Sequence, residues 1–197
     1  METNKKVFIK KPEFQNINVS IKGITPLLME RDDGVAAKMY EGKKSKKIVK
    51  EDTRSEEEKM ESKIHKLSDG SVGYPSSGFS TGMRKVAYEI IGKQGSMIVK
   101  EGVRFLEPMI PIKYKKMEVT EHIGRQSGVS RCPRRILRPQ FNEWSCILKI
   151  KVNLNIISIE QVINLINETG LRRGIGGFRP EKSGEYGQYE VNKDARN

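Results

Sequence analysis

The sequence predicts an α+β domain with the element order βαββαβ, four antiparallel strands carrying two helices on one face. Three stretches predict it: a period-two run in "INVSIKGITPLLM", a second strong strand in "EWSCILKIKVN", and a capped amphipathic helix in "SIEQVINLINETG". They stand in the order this fold requires.

Ile17, Val19 and Ile21 alternate with polar residues as a half-buried strand does, and Gly23 and Pro26 end the run. Residues 30–69 then carry charge of both signs and no aromatic after Tyr40, which reads as a charged, mobile insertion rather than a core element. In "GYPSSGFSTGMRKVAYEIIG", Phe79, Met83, Val86 and Ile90 follow helical spacing, with Ser76 or Ser77 as N-cap and Gly92 as the stop. Ser77, Thr81, Arg84 and Tyr88 fall on the opposite, polar face of that helix. "EGVRFLEPMIPI" reads as one strand that Pro108 and Pro111 bend or end.

Residues 113–139 form a basic insertion, with Arg125, Arg131, Arg134, Arg135 and Arg138 and no acidic residue from Ile123 to Gln140. This is either a solvated basic loop or a surface for a polyanion. In "EWSCILKIKVN" the apolar Ile147 alternates oppositely to Leu148 and Ile150, which predicts cover on both faces of the strand. Ser158 and Gln161 make a capping box for the second helix, Ile159, Val162, Ile163 and Ile166 form its stripe, and Gly170 reads as its stop. "YGQYEV" is the last strand. Without its insertions the chain has the split βαβ order of ferredoxin-like and RNA-recognition folds, in one domain over 1–197 with no internal repeat.

Between the second helix and the last strand lie six glycines in the eighteen residues from Gly170 to Gly187. Gly174, Gly176, Gly177, Gly184 and Gly187 permit positive φ and close backbone approach, and successive exposed amides there would form a concavity for an anion. Arg172, Arg173, Arg179 and Lys182 add positive charge. The bland reading is a connector of tight turns. The segment follows a helix and precedes a strand, and it lacks GK[ST] or GxGxxG, so it is neither a P-loop nor a dinucleotide fingerprint.

The 197 residues hold 37 Lys and Arg against 25 Asp and Glu, a net charge of +12 that favours a polyanionic partner, nucleic acid first. Cys132 and Cys146 have neither zinc spacing nor a second pair, and both are expected to be reduced. No apolar run matches a signal peptide or a membrane span, so the expectation is a cytoplasmic protein without membrane contact. No cofactor or metal is expected, since Asp32, Asp33 and the Glu56–Glu58 run are sequence neighbours in a charged segment, a poor platform for a two-metal geometry. Of the two histidines, His65 lies in that segment and is expected to be inert. His122, beside Glu121, is the candidate for acid–base work.

The sequence resembles the RAMP superfamily, ferredoxin-fold RNA-binding proteins that include CRISPR backbone subunits and guide-processing ribonucleases. "IKGITPLLM", "YPSSGFSTGMRKVA" and the terminal glycine-rich loop carry the resemblance in collinear order. A closer likeness is to small RAMP-like proteins of bacteriophage genomes, with a "TPLLM" start and an ending similar to "GGFRPEKSGEYGQYEV". Their "VGEWRPEK"-like form has an acidic residue that this chain lacks, having Ile175, Gly177 and Phe178 in that region.

The resemblance implies RNA or single-stranded DNA lying across the first helix, the glycine loop over 170–187 and a thumb-like projection at 113–139. Arg84 and the five arginines of the projection would contact phosphates, Ser77 would donate to an anion, and Arg172 and Arg173 would extend the track. Ile136 or Leu137 would wedge between bases, and Tyr74, Phe178 and Tyr186 would stack on bases or pack in the core. It also implies self-association along the nucleic acid and other RAMP or CRISPR-type subunits as partners. Two alternatives stand beside this binding reading: a metal-independent endoribonuclease using His122, and an inhibitor or assembly factor that imitates a RAMP subunit.

Overall fold

The computed structural model describes residues 11–31, 54–125 and 133–192. It is an α+β structure with three antiparallel sheets. Strand β1 (Phe14–Gly23) ends at Gly23, and the two-residue β2 (Leu27–Leu28) follows after Pro26.

Residues 32–53 of the expected charged insertion lie outside the described residues, but its remaining part departs from the expectation. Ser55 and Glu58 form a capping box that starts helix α1 (Glu56–Glu61). Met60 and Ile64 are buried, and Ile64 belongs to the main core. Two apolar residues in a polar stretch suffice to dock it, because the Lys63 carbonyl accepts from the Arg31 amide and the Lys63 ammonium donates to the Leu137 carbonyl.

Strand β3 (Gly73–Pro75) leads into helix α2 (Ser76–Ile91), whose Phe79, Met83, Val86 and Ala87 are buried. Neither serine caps it: Pro75 is the N-cap, with no side-chain hydrogen bond, and the Ser76 amide donates to the Pro108 carbonyl instead. Gly92, at φ 71°, closes the helix as its sequence predicts. Ile90, expected on the buried stripe, is exposed.

A further helix, α3 (Lys93–Gly102), precedes β4 (Val103–Phe105) and β5 (Met109–Pro111). The single strand expected over these residues is thus two strands in different sheets. Pro108, with no N–H to donate, separates them.

The basic insertion forms a hairpin of β6 (Lys116–Arg125) and β7 (Pro133–Asn142), registered from Lys116↔Asn142 to Arg125↔Pro133. In β8 (Ser145–Asn153), Cys146, Leu148, Ile150 and Val152 are buried while Ile147 is 46% exposed, so cover on both faces is not found. Helix α4 (Ile159–Arg172) has the expected capping box, but it runs past Gly170. A Cβ at Gly170 would stand 2.0 Å from the Tyr189 carbonyl oxygen, so this glycine allows β9 (Tyr189–Val191) to approach the helix instead of ending it.

The four-stranded sheet has the order β4-β8-β1-β9, every neighbour antiparallel. A second sheet, β2-β7-β6, carries the hairpin, and β3 pairs with β5. Alternation puts Val19, Ile21, Leu148, Ile150 and Tyr189 on one face of the large sheet. Phe79 and Met83 of α2 and Val162 and Ile166 of α4 complete that core, all at 1% exposure or less. Each such side chain contributes roughly 1.5–3 kcal/mol by leaving water. The helices therefore lie on one face, and the glycine-rich segment crosses the end of the core between α4 and β9.

Candidate nucleic-acid interface

Three depressions run together along the N-terminal part of α2 and the glycine-rich segment. One of about 390 Å³ lies between Tyr74, Gly177, Phe178, Arg179 and Lys182. It shares Tyr74 and Arg179 with a second of about 230 Å³ beside Ser77 and Thr81. Thr81 in turn opens onto a third, of about 580 Å³, lined by Arg84, Tyr88, Ser96 and Arg173. Helical spacing places Ser77, Thr81, Arg84 and Tyr88 on the exposed side of α2 because the opposite side is held in the core.

The glycine-rich segment is packed against the core. Gly174, Gly176 and Gly187 have φ of 61°, 81° and 71°, conformations that other residues rarely adopt. Their amides are occupied: Gly174 donates to Thr169, Gly177 to Leu28 and Gly187 to Pro26, each through a carbonyl oxygen, while Gly176 donates to the Tyr74 hydroxyl at 2.9 Å. The expected anion-binding row of free amides at Gly174, Gly176 and Gly177 is therefore not formed. Buried amides must find acceptors, and the chain found them within itself.

Its arginines are likewise drawn into a network of carboxylates that sequence reasoning missed. Arg172 donates to Glu89 at 2.8 Å, and Arg173 binds both Glu89 and, at 3.0 Å, Glu181. Arg179 donates to Glu181 from Nε at 2.8 Å and from Nη2 at 2.6 Å, and Lys85 reaches the same carboxylate. Burial works against ionisation of Glu181, but hydrogen bonds from Lys85 and Arg179 and their charges outweigh it and hold the carboxyl down at about 2. Lys85 and Glu181 are 96 residues apart, so no local pattern reveals the pair.

Arg138 departs furthest from its expected role as a phosphate contact. It is 5% exposed, pairs with Glu30 at 2.8 Å and lies 4.5 Å from the Phe178 ring centroid. Its Nε and Nη1 are buried without a hydrogen-bond partner among the described residues. The residue joins the hairpin to the glycine segment and presents little charge to a ligand. Arg125, Arg134 and Arg135 occupy the far end of the hairpin, opposite Pro133, Gly124 and Ile123. Arg131 lies outside the described residues. Ser77, Arg84 and Lys182 stand on the exposed track, Arg84 donating from Nε to the Ser96 hydroxyl at 3.3 Å.

Ile136 and Leu137 are only half-buried, and among the described residues of the hairpin Met117, Val119 and Ile123 are the exposed apolar ones, the last 79% exposed. Tyr74 packs edge-on to Phe79 and to His65, whose pKa is lowered by burial and then by Arg31. His65 is thus a packing residue of the docked segment. His122 stands 4.8 Å from the Phe178 ring and 5.5 Å from that of Tyr186. Burial first and Arg138 second lower its pKa, Glu30 opposing them, and its Nε2 is buried without a hydrogen-bond partner among the described residues. Burial there disfavours the protonated imidazole.

No helix among the described residues is long and apolar enough to cross a membrane. No family model and no curated protein matches the chain. Among solved structures, a chain of the cryo-EM structure of the Type III-B Cmr-beta bound to cognate target RNA matches with a TM-score of 0.61 at 14% identity. The match covers 91% of this chain and 59% of that one, so this protein spans little more than half the length of that neighbour. The crystal structure of Cmr6 from Pyrococcus furiosus matches with a TM-score of 0.43 at 11% identity, over 91% of this chain and 99% of that one. The first likeness is one of fold.

Proposed function

We propose that this chain is a RAMP-type binding protein for RNA or single-stranded DNA, built on a ferredoxin-like core and acting in the cytoplasm without cleaving its ligand. One observation carries the reading: the depressions along α2 and the glycine segment share lining residues end to end, and Lys182, Ser77 and Arg84 line them in succession. Exposed hydroxyls and cations in a groove suit a phosphate backbone, whose charge is recognised without reference to base sequence. The fold likeness to a chain from an RNA-bound complex supports it, with RNA as the first choice of ligand.

The paired arginines then shape the groove more than they bind. Arg172, Arg173 and Arg179 are held by Glu89 and Glu181, which fixes the glycine segment against α2 and leaves Arg84 and Lys182, among the described residues of the track, as cations free to meet phosphates. The hairpin would serve as the thumb of this unit, with Met117, Val119 and Ile123 as its base-wedging face in place of Ile136 and Leu137. Copies would assemble along the strand and accept related subunits.

Binding to labelled RNA across a salt series tests the track. Changing Arg84 and Lys182 to Ala is expected to lower the slope of log K against log salt by about 1.4, at ~0.7 per lost single-strand phosphate contact. Changing Lys59 and Lys66, which line none of the three depressions, is expected to leave it. Equal effects of both pairs would refute the track. The same RNA, incubated in EDTA from pH 6 to 8, is expected to stay intact. Defined cuts with 2′,3′-cyclic phosphate ends that vanish in His122→Ala would establish the ribonuclease instead.

A further inference from the structure

The helices cover only one face of the four-stranded sheet. Among the described residues nothing covers the other face, and period-two alternation determines what it presents. Phe14, Asn16, Asn18 and Lys22 of β1 point there, and the register sets Asn16 opposite Lys151 and Asn18 opposite Lys149 of β8. On the outer side, Arg104 of β4 is also opposite Lys151. Phe14 is 50% exposed and Ile147 46%, while Asn16, Asn18, Lys149 and Arg104 are exposed.

The chemistry of this face is uneven. Lys22 pairs with Glu190 at 3.2 Å and Lys149 with Glu107 at 2.7 Å, exposed contacts that hold their lysines weakly. Arg104 and Lys151 have no carboxylate partner among the described residues. Lys151 lies 4.7 Å from the Phe14 ring centroid. Among the described residues the side-chain amides of Asn16 and Asn18 make no hydrogen bond, so they offer donors and acceptors outward.

Two kinds of occupant fit poorly. A second copy of a chain of net charge +12 would bring like charge against Arg104, Lys149 and Lys151. A protein partner of apolar character would find Phe14 and Ile147 separated by amides and lysines rather than a continuous patch. A single strand fits all the parts, because phosphates meet the cations, unstacked bases lie on Phe14 and Ile147, and the amides meet base edges. From Phe14 to Lys22 the strand runs about 26 Å at roughly 3.3 Å per residue, room for the ~4 nucleotides of the smallest such sites.

We infer that the open face of the sheet, across β4, β8 and β1, is a second binding surface for single-stranded nucleic acid. The inference rests on the proposed nucleic-acid reading, but it concerns the face opposite the α2 track, so the two sites are separable. A single chain then holds two short strands at once.

The test uses the full chain with eight-nucleotide RNA and DNA oligomers bearing photoreactive thio-bases, the cross-linked peptides being mapped by mass spectrometry and the stoichiometry measured at saturation. Cross-links are expected on peptides 14–22 and 145–153 as well as on the loop and α2, with two oligomers bound. Changing Arg104, Lys149 and Lys151 together to Ala should cut cross-linking of the sheet peptides at least tenfold, leave one oligomer bound, and lower the salt slope at this site by about 2. Phe14→Ala should weaken those cross-links without changing the slope, since stacking releases no counterions. The RNA and DNA arms show whether the 2′-hydroxyl contributes. Sheet peptides free of cross-links, with stoichiometry unchanged in the triple variant, would overturn the inference. Cross-links confined to the sheet would sustain it and overturn the α2 track instead.

Discussion

Gly187→Ala tests whether the glycine-rich segment is a packed element or a slack connector. At Gly187 φ is 71°, the amide donates to the Pro26 carbonyl at 2.8 Å, and the carbonyl accepts from the Ile175 amide at 2.9 Å. An added Cβ would stand 1.8 Å from the Ile175 oxygen, a backbone atom that cannot rotate away. Gly70 offers the control: its φ is 84°, yet a Cβ there meets nothing within 4 Å. Both substitutions incur the left-handed penalty of roughly 1–2 kcal/mol. Both also restrict the unfolded chain, which returns ~0.4–1 kcal/mol. Only Gly187→Ala must in addition displace backbone, at about 1–3 kcal/mol. The expected losses are therefore about 3 kcal/mol for Gly187→Ala and about 1 kcal/mol for Gly70→Ala. In a chain of this size they correspond to roughly 6–12 °C and 2–4 °C in Tm. Urea unfolding followed by circular dichroism reads the difference from the midpoints, provided that m is unchanged. Equal losses would refute the packed segment and return its glycines to the role of flexible turns.

Glu181→Gln probes the ion network from the other side. A carboxyl held at about 2 when folded contributes stability that is fully present above its unfolded value near 4.5 and is lost as pH falls towards 2. Acid titration of stability should therefore be flatter for Glu181→Gln than for the parent between pH 4.5 and 2, and the variant should be less stable at pH 7; parallel curves would contradict the network. Burial pushes the Cys146 thiol far up, so this cysteine should resist a thiol reagent at pH 8 in the folded protein and react once urea unfolds it. Labelling of Cys146 at equal rates in both states would show that β8 is not buried as described.

Where structure follows from neighbours in the chain, the residues announce it. The capping box of Ser158 and Gln161 closes over one turn, the stop at Gly92 needs only that residue's own backbone freedom, and the alternation of β8 is set by the pleat. The polar face of α2 was legible for the same reason, and with it Ser77 and Arg84. Short strands were not. β4 and β5 have three residues each, too few for a period, and their partners β8 and β3 decide that they belong to different sheets. Helix α3 was hidden by Gly95, which lowers helix propensity locally but allows the Ala87 carbonyl of α2 to come within 2.2 Å of where a Cβ would stand.

By itself, then, the sequence determined the secondary elements with periodic apolar faces, their order, the excess of positive charge and the concentration of glycine before β9. Each of these depends on composition or on residues within one or two turns of each other. Tertiary structure alone decided which of those charges remain available. Arg138 is spent on Glu30, 108 residues away, and Arg173 and Arg179 on Glu181, while Arg84 and Lys182 stay exposed. Chain closure brings carboxylates to arginines from remote segments, and a charge paired in a partly buried site is held far more firmly than one facing water, because little solvent screens it.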